Sequence, residues 1–456
     1  MTSYRLKIDV DTDLDVIVDE NHFTFTHVNE KVCVEFPDLV AVSDQTSENN
    51  DQEQSVTLHY IKQSAFSLSK EVIKVCGEAS IVKQFLEHVR AKFKKVPTSK
   101  PRHFLVFINP IGGKGTGVKT FEDTVKPLFD LASITYQVVV SERANVCTEV
   151  MESQDLTHVD GIVVCGGDGT LSEVTNVLLR RTMVAADLDF NDPKVKVPTT
   201  AIPIGHIPTG TANVMSYCCN GCVDIVTATL SIIKGNTRPI GASGVYSGGK
   251  LIRYSLVGVS SGFIADMMDR RDQLRWMGMF RLLWVPIQML FSGFRNFTTE
   301  ITLDTRKKKP MTEGDKEEIT YTKREEKFEG DIFNTMVLCW NIKDVHGKPQ
   351  IWPNRGPFQT FILYKKACTR YQFLWHVVKL FKAKKEALQG DYLECYQAAG
   401  YIMKVKEDSP LKENLGINID GDPFKLPEPY HENRFYHDAV RMFTSLTDTD
   451  ADSSIP

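Results

Sequence analysis

The fold of this chain is decided by the stretch "VVCGGDGTLSEVTNVLLRR", residues 163–181. An apolar run typical of a buried strand ends in two glycines, an aspartate and a third glycine, and a helix-like pattern follows. Glycines allow a backbone to approach another group closely. An acid among them, Asp168, is useful where it accepts a proton from a hydroxyl or helps to hold a metal ion. The stretch therefore predicts a turn that covers a ligand, with Asp168 as a candidate catalytic residue.

Two further glycine-containing turns resemble this one. "NPIGGKGTG", residues 109–117, lies between a strand-like and a helix-like segment, so its free N–H groups and the helix N-terminus favour an anion. It is not a Walker A loop, because Gly115 follows Lys114 where Ser or Thr is required, and the alternative for this motif alone is a tight structural turn. "IPTGTANVM", residues 207–215, offers hydroxyls, an amide and N–H groups to phosphate or ribose. Three such turns at successive strand ends predict a phosphate-binding site.

The segments around these turns alternate between strand and helix patterns. The strand-like runs "FLVFI", "ITYQVVV", "GIVVC" and "TTAIPIG" are separated by helical stretches, one of them near residues 119–131. This alternation predicts a parallel sheet covered by helices, with ligands at the carboxyl ends of its strands. After about residue 236 the chain is β-rich again, which predicts antiparallel strands packed as a sandwich. The charged run over residues 304–330 is expected to be a solvated loop.

The first 96 residues have a different pattern. Short strand-like runs are followed by "SIVKQFLEHVRAKF", whose Ile81, Phe85, Val89 and Phe93 share one helical face. This predicts a small β-barrel closed by a helix, as in pleckstrin-homology-like modules, with an unrelated β-rich domain as the alternative. The predicted domains are a pleckstrin-homology-like module over 1–96, an α/β nucleotide-binding domain over 97–236, a β-sandwich lipid-binding domain over 237–445 and a disordered tail over 446–456.

Composition excludes several classes of protein. The 456 residues carry a net charge of −4, so no global basic field favours nucleic acid. The ten cysteines are scattered and the first ten residues lack the apolar core of a signal peptide, which predicts reduced thiols in the cytosol. "CCNGC", residues 218–222, supplies three sulfurs where zinc takes four ligands, so buried thiols are expected there. No apolar run reaches the roughly 20 residues that span a bilayer.

Glu173 has two interpretations. The sequence Thr170-Leu171-Ser172-Glu173 matches a capping box, in which the glutamate satisfies an N–H at the start of a helix. The alternative is catalytic support for Asp168, and the two roles are compatible.

The chain resembles the diacylglycerol-kinase-type lipid kinases, a family that includes sphingosine and ceramide kinases. The matching motifs are "NPIGGKG", "SERAN", "GGDGTLSEV", "IPTGTAN" and "INIDGD", and the resemblance covers roughly residues 104–440. It implies an α/β nucleotide domain, a β-sandwich second domain and a cleft for ATP and Mg²⁺ between them. Asp168 is then the general base that activates a lipid hydroxyl toward the γ-phosphate, with Glu173 beside it and Asp422 at the metal. The implied nucleotide-binding residues are Asn109, Gly112, Gly113, Lys114, Gly115, Ser141, Gly166, Gly167, Gly169, Thr170, Thr209, Gly210, Thr211, Asn213, Arg275, Arg281, Asp420 and Gly421.

Within the family, the chain is most similar to the ceramide kinases. "RYSLVGVSSGFIADMMDRRDQLRWMGMFR" and "HDAVRMF" carry this likeness. Sphingosine kinases have an aspartate two positions after the equivalent of Asp266, where it meets the ammonium of the substrate, and this chain has Met268 there. A neutral, N-acylated lipid does not need that charge. The resemblance therefore implies that the γ-phosphate of ATP is transferred to the primary hydroxyl of ceramide, with sphingosine or diacylglycerol as alternative lipids.

Three departures from the family pattern bear on this interpretation. The late acidic motif ends in Asp422 where glutamate is usual, Gly241 stands where a polar residue is usual, and "IWPNRGPFQTF" replaces an expected Asp-Gly-rich turn. These departures keep a weakly active lipid-binding scaffold as a rival function. A small-molecule kinase with a Gly-Gly-Asp-Gly turn, such as an NAD kinase, is a second rival.

Two segments are candidates for contact with lipid. Residues 276–294 predict either a lipid-receiving helix or a plain buried one. The apolar side chains near one face of that segment are Met277, Phe280, Trp284, Ile287 and Phe291. Residues 373–385 are basic and amphipathic, which suits an anionic membrane surface. The expected location is cytoplasmic, with peripheral association with membranes, and the sequence leaves the oligomeric state open.

Overall fold

The computed structural model describes most of the chain. The described residues are 2–8, 12–27, 30–46, 53–64, 66–95, 101–292, 295–308, 321–345, 348–353, 356–366, 368–381, 390–406, 409 and 416–446. The expected disorder of the tail after residue 446, the linker at 96–100 and the basic end of residues 373–385 fall outside these ranges.

The N-terminal segment contains an antiparallel sheet and one long helix, as its alternating apolar pattern predicts. Its strands are β1 (Thr2–Ile8), β2 (Thr12–Val18), β3 (His22–His27), β4 (Glu30–Glu35), β5 (Leu39–Thr46), β6 (Glu53–Ser64) and β7 (Ser67–Glu78), with a 3₁₀ turn at Phe36–Asp38. Within the described residues they pair in the order β4-β3-β2-β1-β7-β6-β5. Helix α1 (Ala79–Phe93) covers the sheet and buries Phe85 and Val89 completely, so the predicted apolar face of this helix is confirmed.

The next segment forms a parallel sheet with helices between its strands. Its elements are β8 (His103–Ile108), α2 (Gly117–Thr120), a π-helical turn (Phe121–Val125), α3 (Lys126–Leu131), β9 (Thr135–Val140), α4 (Val146–Ser153), β10 (Gly161–Gly166), α5 (Asp168–Ala185), β11 (Ile204–Pro208), α6 (Val214–Asn220) and α7 (Ile225–Lys234). The strand order is β11-β10-β8-β9, and all three pairs are parallel. The predicted fourth strand is wrong in its start, because residues 199–203 have no strand structure and β11 begins at Ile204.

The segment after residue 236 is mainly antiparallel, as predicted. Its strands are β12 (Thr237–Ser247), β13 (Lys250–Ser255), β14 (Gly258–Gly262), β15 (Phe297–Lys308), β16 (Tyr321–Leu338), β17 (Trp340–Val345), β18 (Lys348–Pro353), β19 (Gln359–Lys365), β20 (Leu393–Val405), β21 (Gly416–Ile419), β22 (Asp422–Lys425) and β23 (Tyr430–Phe443). The last strand, β23, pairs with β12 and β20 and also runs parallel to β11. The end of the chain therefore completes the sheet that carries the glycine-rich turns.

The expected loop over residues 304–330 is wrong for its described parts. β15 and β16 continue through it, with Asp304 opposite Glu325 and Lys308 opposite Tyr321, and residues 309–320 are outside the description. An antiparallel ribbon can leave one face in water, so its charged side chains are compatible with a strand.

In the described part of this half, three helices lie between the strands. They are α8 (Phe263–Gln273), α9 (Arg281–Ser292) and α10 (Arg370–Phe381), and a 3₁₀ segment (Arg275–Phe280) joins α8 to α9. Gly278 in that segment has φ +57°, so residues 276–294 do not form one continuous helix. Among the described helices, none is by itself long and apolar enough to cross a bilayer; α6 and α7 meet the length and composition criteria only as a pair bent by 51°.

Candidate active site

The three glycine-containing turns touch one another through their backbones. Gly113 has φ +57°, and a Cβ on it would overlap the carbonyl group of Thr209. A Cβ on Gly210 would likewise overlap the Cα of Gly167. Since no larger residue fits at these contacts, the glycines hold the turns together as one surface at the carboxyl ends of β8, β10 and β11.

Asn109 joins the first turn to the second. Its Oδ1 accepts hydrogen bonds from the N–H groups of Ile111 (3.1 Å) and Gly112 (2.9 Å), and its Nδ2 donates to Oγ1 of Thr170 (2.9 Å). The Asn109 side chain is therefore committed to shaping the turns.

The third turn is ordered by Asn213. This residue has φ +52°, and its Oδ1 accepts a hydrogen bond from the N–H of Gly210 (2.9 Å). The N–H of Thr209 donates to the carbonyl of Gly166 (3.0 Å), which fixes the third turn against the second. The hydroxyl of Thr209 is buried and has no hydrogen-bond partner among the described residues.

Asp168 belongs to the second turn and is the first residue of α5. Its carboxylate accepts hydrogen bonds from the N–H groups of Val214 and Met215, both at 3.1 Å. These are the first two amides of α6, whose partial positive charge stabilises the anion. Each carboxylate oxygen has a second lone pair, so Asp168 can still accept a proton from a substrate hydroxyl.

His206 lies close to Asp168, and the sequence analysis did not identify it. It is 4% exposed in β11, and its Nε2 lies 3.1 Å from the carbonyl oxygen of Gly166. Burial lowers the pKa of His206, while the charge of Asp168 opposes that shift. A neutral imidazole that donates from Nε2 holds the second turn in place. Its position inside a short apolar strand gave no sequence signal of this role.

Glu173 does not form the expected capping box. Helix α5 begins at Asp168, so Glu173 is already in its second turn. Its Oε1 instead accepts hydrogen bonds from the N–H and the hydroxyl of Thr148, both at 3.0 Å, in the first turn of α4. Glu173 therefore stabilises the start of a neighbouring helix. Ser141 also lies at this edge, where its N–H donates to the carbonyl of Ile108.

Asp420 is engaged by the turn between β13 and β14. Its two carboxylate oxygens accept hydrogen bonds from the hydroxyl of Ser255 (2.6 Å) and from three backbone N–H groups at 2.9–3.0 Å. Asp420 is 8% exposed and has φ +54°. Its carboxylate therefore shapes this turn, and Gly421 accepts a hydrogen bond from Arg271 beside it.

Asp422 is paired with Arg253, a second residue that sequence reasoning missed. Nη1 of Arg253 lies 3.3 Å from Oδ2 of Asp422, and its Nε donates to the hydroxyl of Ser172 on α5 (3.3 Å). The guanidinium also lies 5.5 Å from the centre of the Phe424 ring. The pair connects the late acidic motif to the helix that begins at Asp168. The stretch "RYSLVGVSSGFIADMMDRRDQLRWMGMFR" contained the signal, because Arg253 is its first residue.

The donor set fits Mg²⁺ only together with a nucleotide. Within the described residues, no cluster of three or more His, Cys, Asp or Glu side chains is suited to hold a metal. Mg²⁺ commonly needs only one or two carboxylates when phosphates supply the other oxygens. Asp422, paired with Arg253 but still half-exposed, meets that requirement better than Asp420, which is buried and accepts four hydrogen bonds.

The two residues predicted to contact the lipid, Asp266 and Met268, lie on different sides of helix α8. Asp266 lines a cavity of about 360 Å³ between α8 and α9, where its Oδ2 accepts a hydrogen bond from Nε of Arg295 (3.0 Å). Burial raises the pKa of Asp266, while Arg295 lowers it. Met268 is instead partly buried against the main apolar core. Asp269, the neighbouring acid, lines the cavity as well.

Other predicted positions are less constrained. Lys114 and Thr211 are exposed in their turns, and Arg281 is half-buried at the start of α9. The side chain of Arg275 lies outside the description. Gly241 faces the ring of Phe435, which occupies the space of any side chain at that position, so the absence of a polar residue there has a steric reason.

Four members of the predicted stripe, Phe280, Trp284, Ile287 and Phe291, are exposed and Met277 is partly buried, so the plain buried helix is wrong. The exposed fractions are 79% for Trp276, 59% for Phe280, 68% for Leu283, 43% for Trp284, 49% for Ile287 and 81% for Phe291. Helix α10 also exposes Tyr371, Leu374 and Trp375, and Arg370 at its start donates a hydrogen bond to the carbonyl of Phe291. Apolar surfaces of this kind mark sites of contact with proteins, ligands or membranes.

Comparisons with known proteins agree with the predicted family. Residues 103–245 match the family model of the diacylglycerol kinase catalytic domain, which confirms the resemblance found in the motifs. The chain is 36% identical to human ceramide kinase over 53% of its own length and 44% of that protein, and 40% identical to mouse ceramide kinase over 44% and 36%. It is 35% identical to sphingosine kinase 1 of Arabidopsis thaliana over 41% and 36%. The chain spans less than half the length of these relatives.

A solved structure shares the fold. A crystal structure described as a candidate diacylglycerol kinase from Bacillus anthracis covers 77% of this chain and 98% of its own, with a TM-score of 0.50 and 16% identity. At that identity the likeness shows the fold alone: the α/β unit and the strands that follow it form a diacylglycerol kinase-like arrangement.

Proposed function

We propose that this chain transfers the γ-phosphate of ATP to the primary hydroxyl of ceramide and so produces ceramide 1-phosphate. The observation that carries the proposal is the position of Asp168. It begins α5 where three mutually packed turns meet, and two amides of α6 hold its carboxylate. The likeness to ceramide kinases supports the choice of lipid.

The proposed chemistry is an in-line phosphoryl transfer in which the protein mainly positions its substrates. The phosphates of ATP bind to N–H groups of the three turns other than those of Gly112, Gly115 and Gly210, which donate inside the turns. Thr209 and Thr211 are proposed as hydroxyl donors. Asp168 accepts the proton of the lipid hydroxyl. Bound Mg²⁺ would neutralise phosphate charge, and Asp422 is the residue proposed to hold it. Arg253 then remains beside that carboxylate as a second source of positive charge.

The proposal of a neutral lipid rests on the charges near α8. Asp266 is already paired with Arg295, and Met268 offers no charge to an ammonium group. A cationic sphingoid base would therefore lose water without gaining a carboxylate from either of these two positions. Sphingosine and diacylglycerol remain the alternative substrates, with Asp269 as the acid through which sphingosine would bind.

We also propose peripheral association with the cytoplasmic surface of a membrane. The exposed aromatic side chains of α9 and α10 lie on segments that contact each other through Arg370, and Trp and Tyr favour the interface between lipid and water. The sheet and helix of residues 1–96 suit a pleckstrin-homology-like module, and the later strands suit a β-sandwich that receives the lipid. The proposed bounds are 97–236 for the nucleotide-binding domain and 237–445 for the lipid-binding domain.

One assay separates the candidates. Purified protein is incubated with labelled ATP and Mg²⁺ and offered ceramide, sphingosine, diacylglycerol and NAD in parallel. The proposal expects labelled ceramide 1-phosphate from wild-type protein and a large loss in Asp168→Asn. Labelled NAD phosphate would favour the small-molecule kinase. Binding of ceramide without any labelled product would favour the lipid-binding scaffold.

A further inference from the structure

The N-terminal module is packed tightly against helices α6 and α7. The N–H of Leu68, at the start of β7, donates to Oγ1 of Thr227, and both residues are buried. Lys234 at the end of α7 forms an ion pair with Asp38 (2.5 Å), and both side chains are about one-fifth exposed. Val40, Ile61 and Leu68 also belong to the apolar cluster formed by the parallel sheet. The module is thus part of the same packed body as the candidate active site.

A further contact is at Phe66, in the turn between β6 and β7. Its carbonyl oxygen accepts a hydrogen bond from the thiol of Cys222 (3.1 Å). Its ring lies so close to Gly221 that a Cβ there would be 2.7 Å from a ring carbon. Gly221 has φ +69° and ends α6, where its N–H donates to the carbonyl of Tyr217. Phe66 therefore abuts the C-terminal end of α6.

The other end of α6 holds Asp168. The helix has seven residues, and its first two amides are the ones that bind the carboxylate. Seven residues rise only about 10 Å, so both ends belong to one short rigid rod. Ser216 inside this rod donates to the carbonyl of Cys222, which ties the helix to the segment that Phe66 contacts.

A second support reaches α6 from the opposite end of the chain. The hydroxyl of Thr444 donates to the carbonyl of Cys219, and the N–H of Ser445 donates to the side chain of Asn220 (3.1 Å). The end of α6 is therefore clamped between the residues after β23 and the β6–β7 turn. Removing the Phe66 ring leaves the backbone hydrogen bond from Cys222 and the bonds from Thr444 and Ser445, so it should loosen the helix without unfolding it.

We propose that Phe66 is a positioning residue for Asp168. Its ring packs against the C-terminal end of α6 and thereby fixes the two backbone N–H groups that orient the carboxylate. This inference rests on the proposed function, because Asp168 is there the group that accepts the substrate proton. It gives the N-terminal module a role in the chemical step in addition to any role in recruitment. Small displacements of a reacting group are costly, since about 1 Å of misplacement can slow a reaction by roughly 10²-fold.

The test compares Phe66→Ala with Val72→Ala, an exposed apolar position on β7 that serves as the matched control. Turnover is measured with short-chain ceramide in solution, so that membrane recruitment plays no part, and hydrogen exchange is followed in residues 214–220. We expect Phe66→Ala to lower kcat by ~5-fold to ~100-fold, within the range for a misplaced reacting group, while KM for ATP changes less than about 2-fold. Exchange at residues 214 and 215 should accelerate in the same variant and not in Val72→Ala.

A double substitution checks the contact itself. Gly221→Ala should be harmful both because of its positive φ and because its Cβ meets the Phe66 ring. Adding Phe66→Ala removes only the second cause, so the double variant should recover part of the exchange protection. If Phe66→Ala fails to fold, Phe66→Leu and Cys222→Ala replace it in the same assays.

The outcomes are distinct. Unchanged exchange at residues 214 and 215 in a folded Phe66→Ala protein overturns the inference, whatever the turnover. Faster exchange without any loss of kcat overturns it too, because Asp168 would then not depend on those amides. Wild-type protein that phosphorylates no lipid refutes the proposed function instead, and the exchange data still decide whether Phe66 fixes α6.

Discussion

Arg253 forms an ion pair with Asp422 and also donates a hydrogen bond to the hydroxyl of Ser172, which lies one turn after Asp168 on α5. Two carboxylates of the "DGD" motif thus have separate tasks. Asp420 accepts four hydrogen bonds inside a turn, and Asp422 pairs with Arg253 at a more exposed position.

The matched substitutions Asp420→Asn and Asp422→Asn should separate these tasks. An amide at 420 places N–H groups against N–H donors, so we expect a loss of about 1–3 kcal/mol in the free energy of unfolding, measured in urea. Asp422→Asn should cost less than about 1 kcal/mol, as is usual for a partly exposed ion pair. It should instead raise the Mg²⁺ concentration for half-maximal turnover by roughly 10-fold or more, a loss seen even for indirect changes at metal sites. Equal stability of the two variants would contradict this division.

Asp168→Asn should fold and bind ATP but lose most of its turnover. An amide cannot accept the hydroxyl proton, and loss of a general base typically costs ~10²–10⁴-fold. The substitution also replaces one carboxylate oxygen with an NH2 group, which then faces the backbone N–H of Val214 or Met215. The affinity for ATP must therefore be measured beside kcat. Near-normal kcat with normal ATP binding would remove Asp168 from its proposed role.

Gly113→Val and Gly167→Val should each weaken ATP binding severely. The side chain at 113 would overlap the backbone of Thr209 and requires a positive φ, and a Cβ at 167 would lie 3.1 Å from the Cα of Gly210. Gly416→Ala is the control, because nothing lies within 4 Å of a Cβ there. Calorimetric titration with a non-hydrolysable ATP analogue provides the measurement. Wild-type affinity in both valine variants would mean that the turns do not bind phosphate.

The sequence predicted these turns because each is a local pattern: an apolar run, glycines and a helix start. It predicted neither His206 nor Arg253, since their roles depend on partners that are 40 and more than 80 residues away in the chain. The extension of β15 and β16 was missed for the opposite reason. A charged composition suggested a loop, whereas long-range pairing with one solvated face allows a strand. The capping box at Glu173 failed because the helix begins two residues before the motif.

His431 predicts a dependence of stability on pH. It is fully buried in β23 beside the hydroxyl of Tyr401 (3.1 Å), and burial lowers its pKa to about 4. In the unfolded chain it titrates near its usual value of about 6.5, so between these values the unfolded chain binds more protons. The free energy of unfolding should therefore fall as the pH falls from about 6.5 to about 4. Urea unfolding across this range should show a smaller fall in His431→Gln and an unchanged one in His437→Gln.

The position of Met268 makes the choice of substrate testable. Wild-type protein should phosphorylate ceramide and largely ignore sphingosine, because Met268 packs against the apolar core and Asp266 is held by Arg295. Met268→Asp should shift kcat/KM toward sphingosine, since an ammonium then gains a carboxylate, and should penalise ceramide by burying an unpaired charge. It should also lower the free energy of unfolding, which Met268→Leu, the control of similar volume, should not. Asp269→Asn tests the neighbouring acid, and it should leave wild-type selectivity unchanged unless Asp269 already receives an amine. Wild-type preference for sphingosine that is abolished by Asp269→Asn would overturn the ceramide assignment and move the site of recognition to the cavity between α8 and α9.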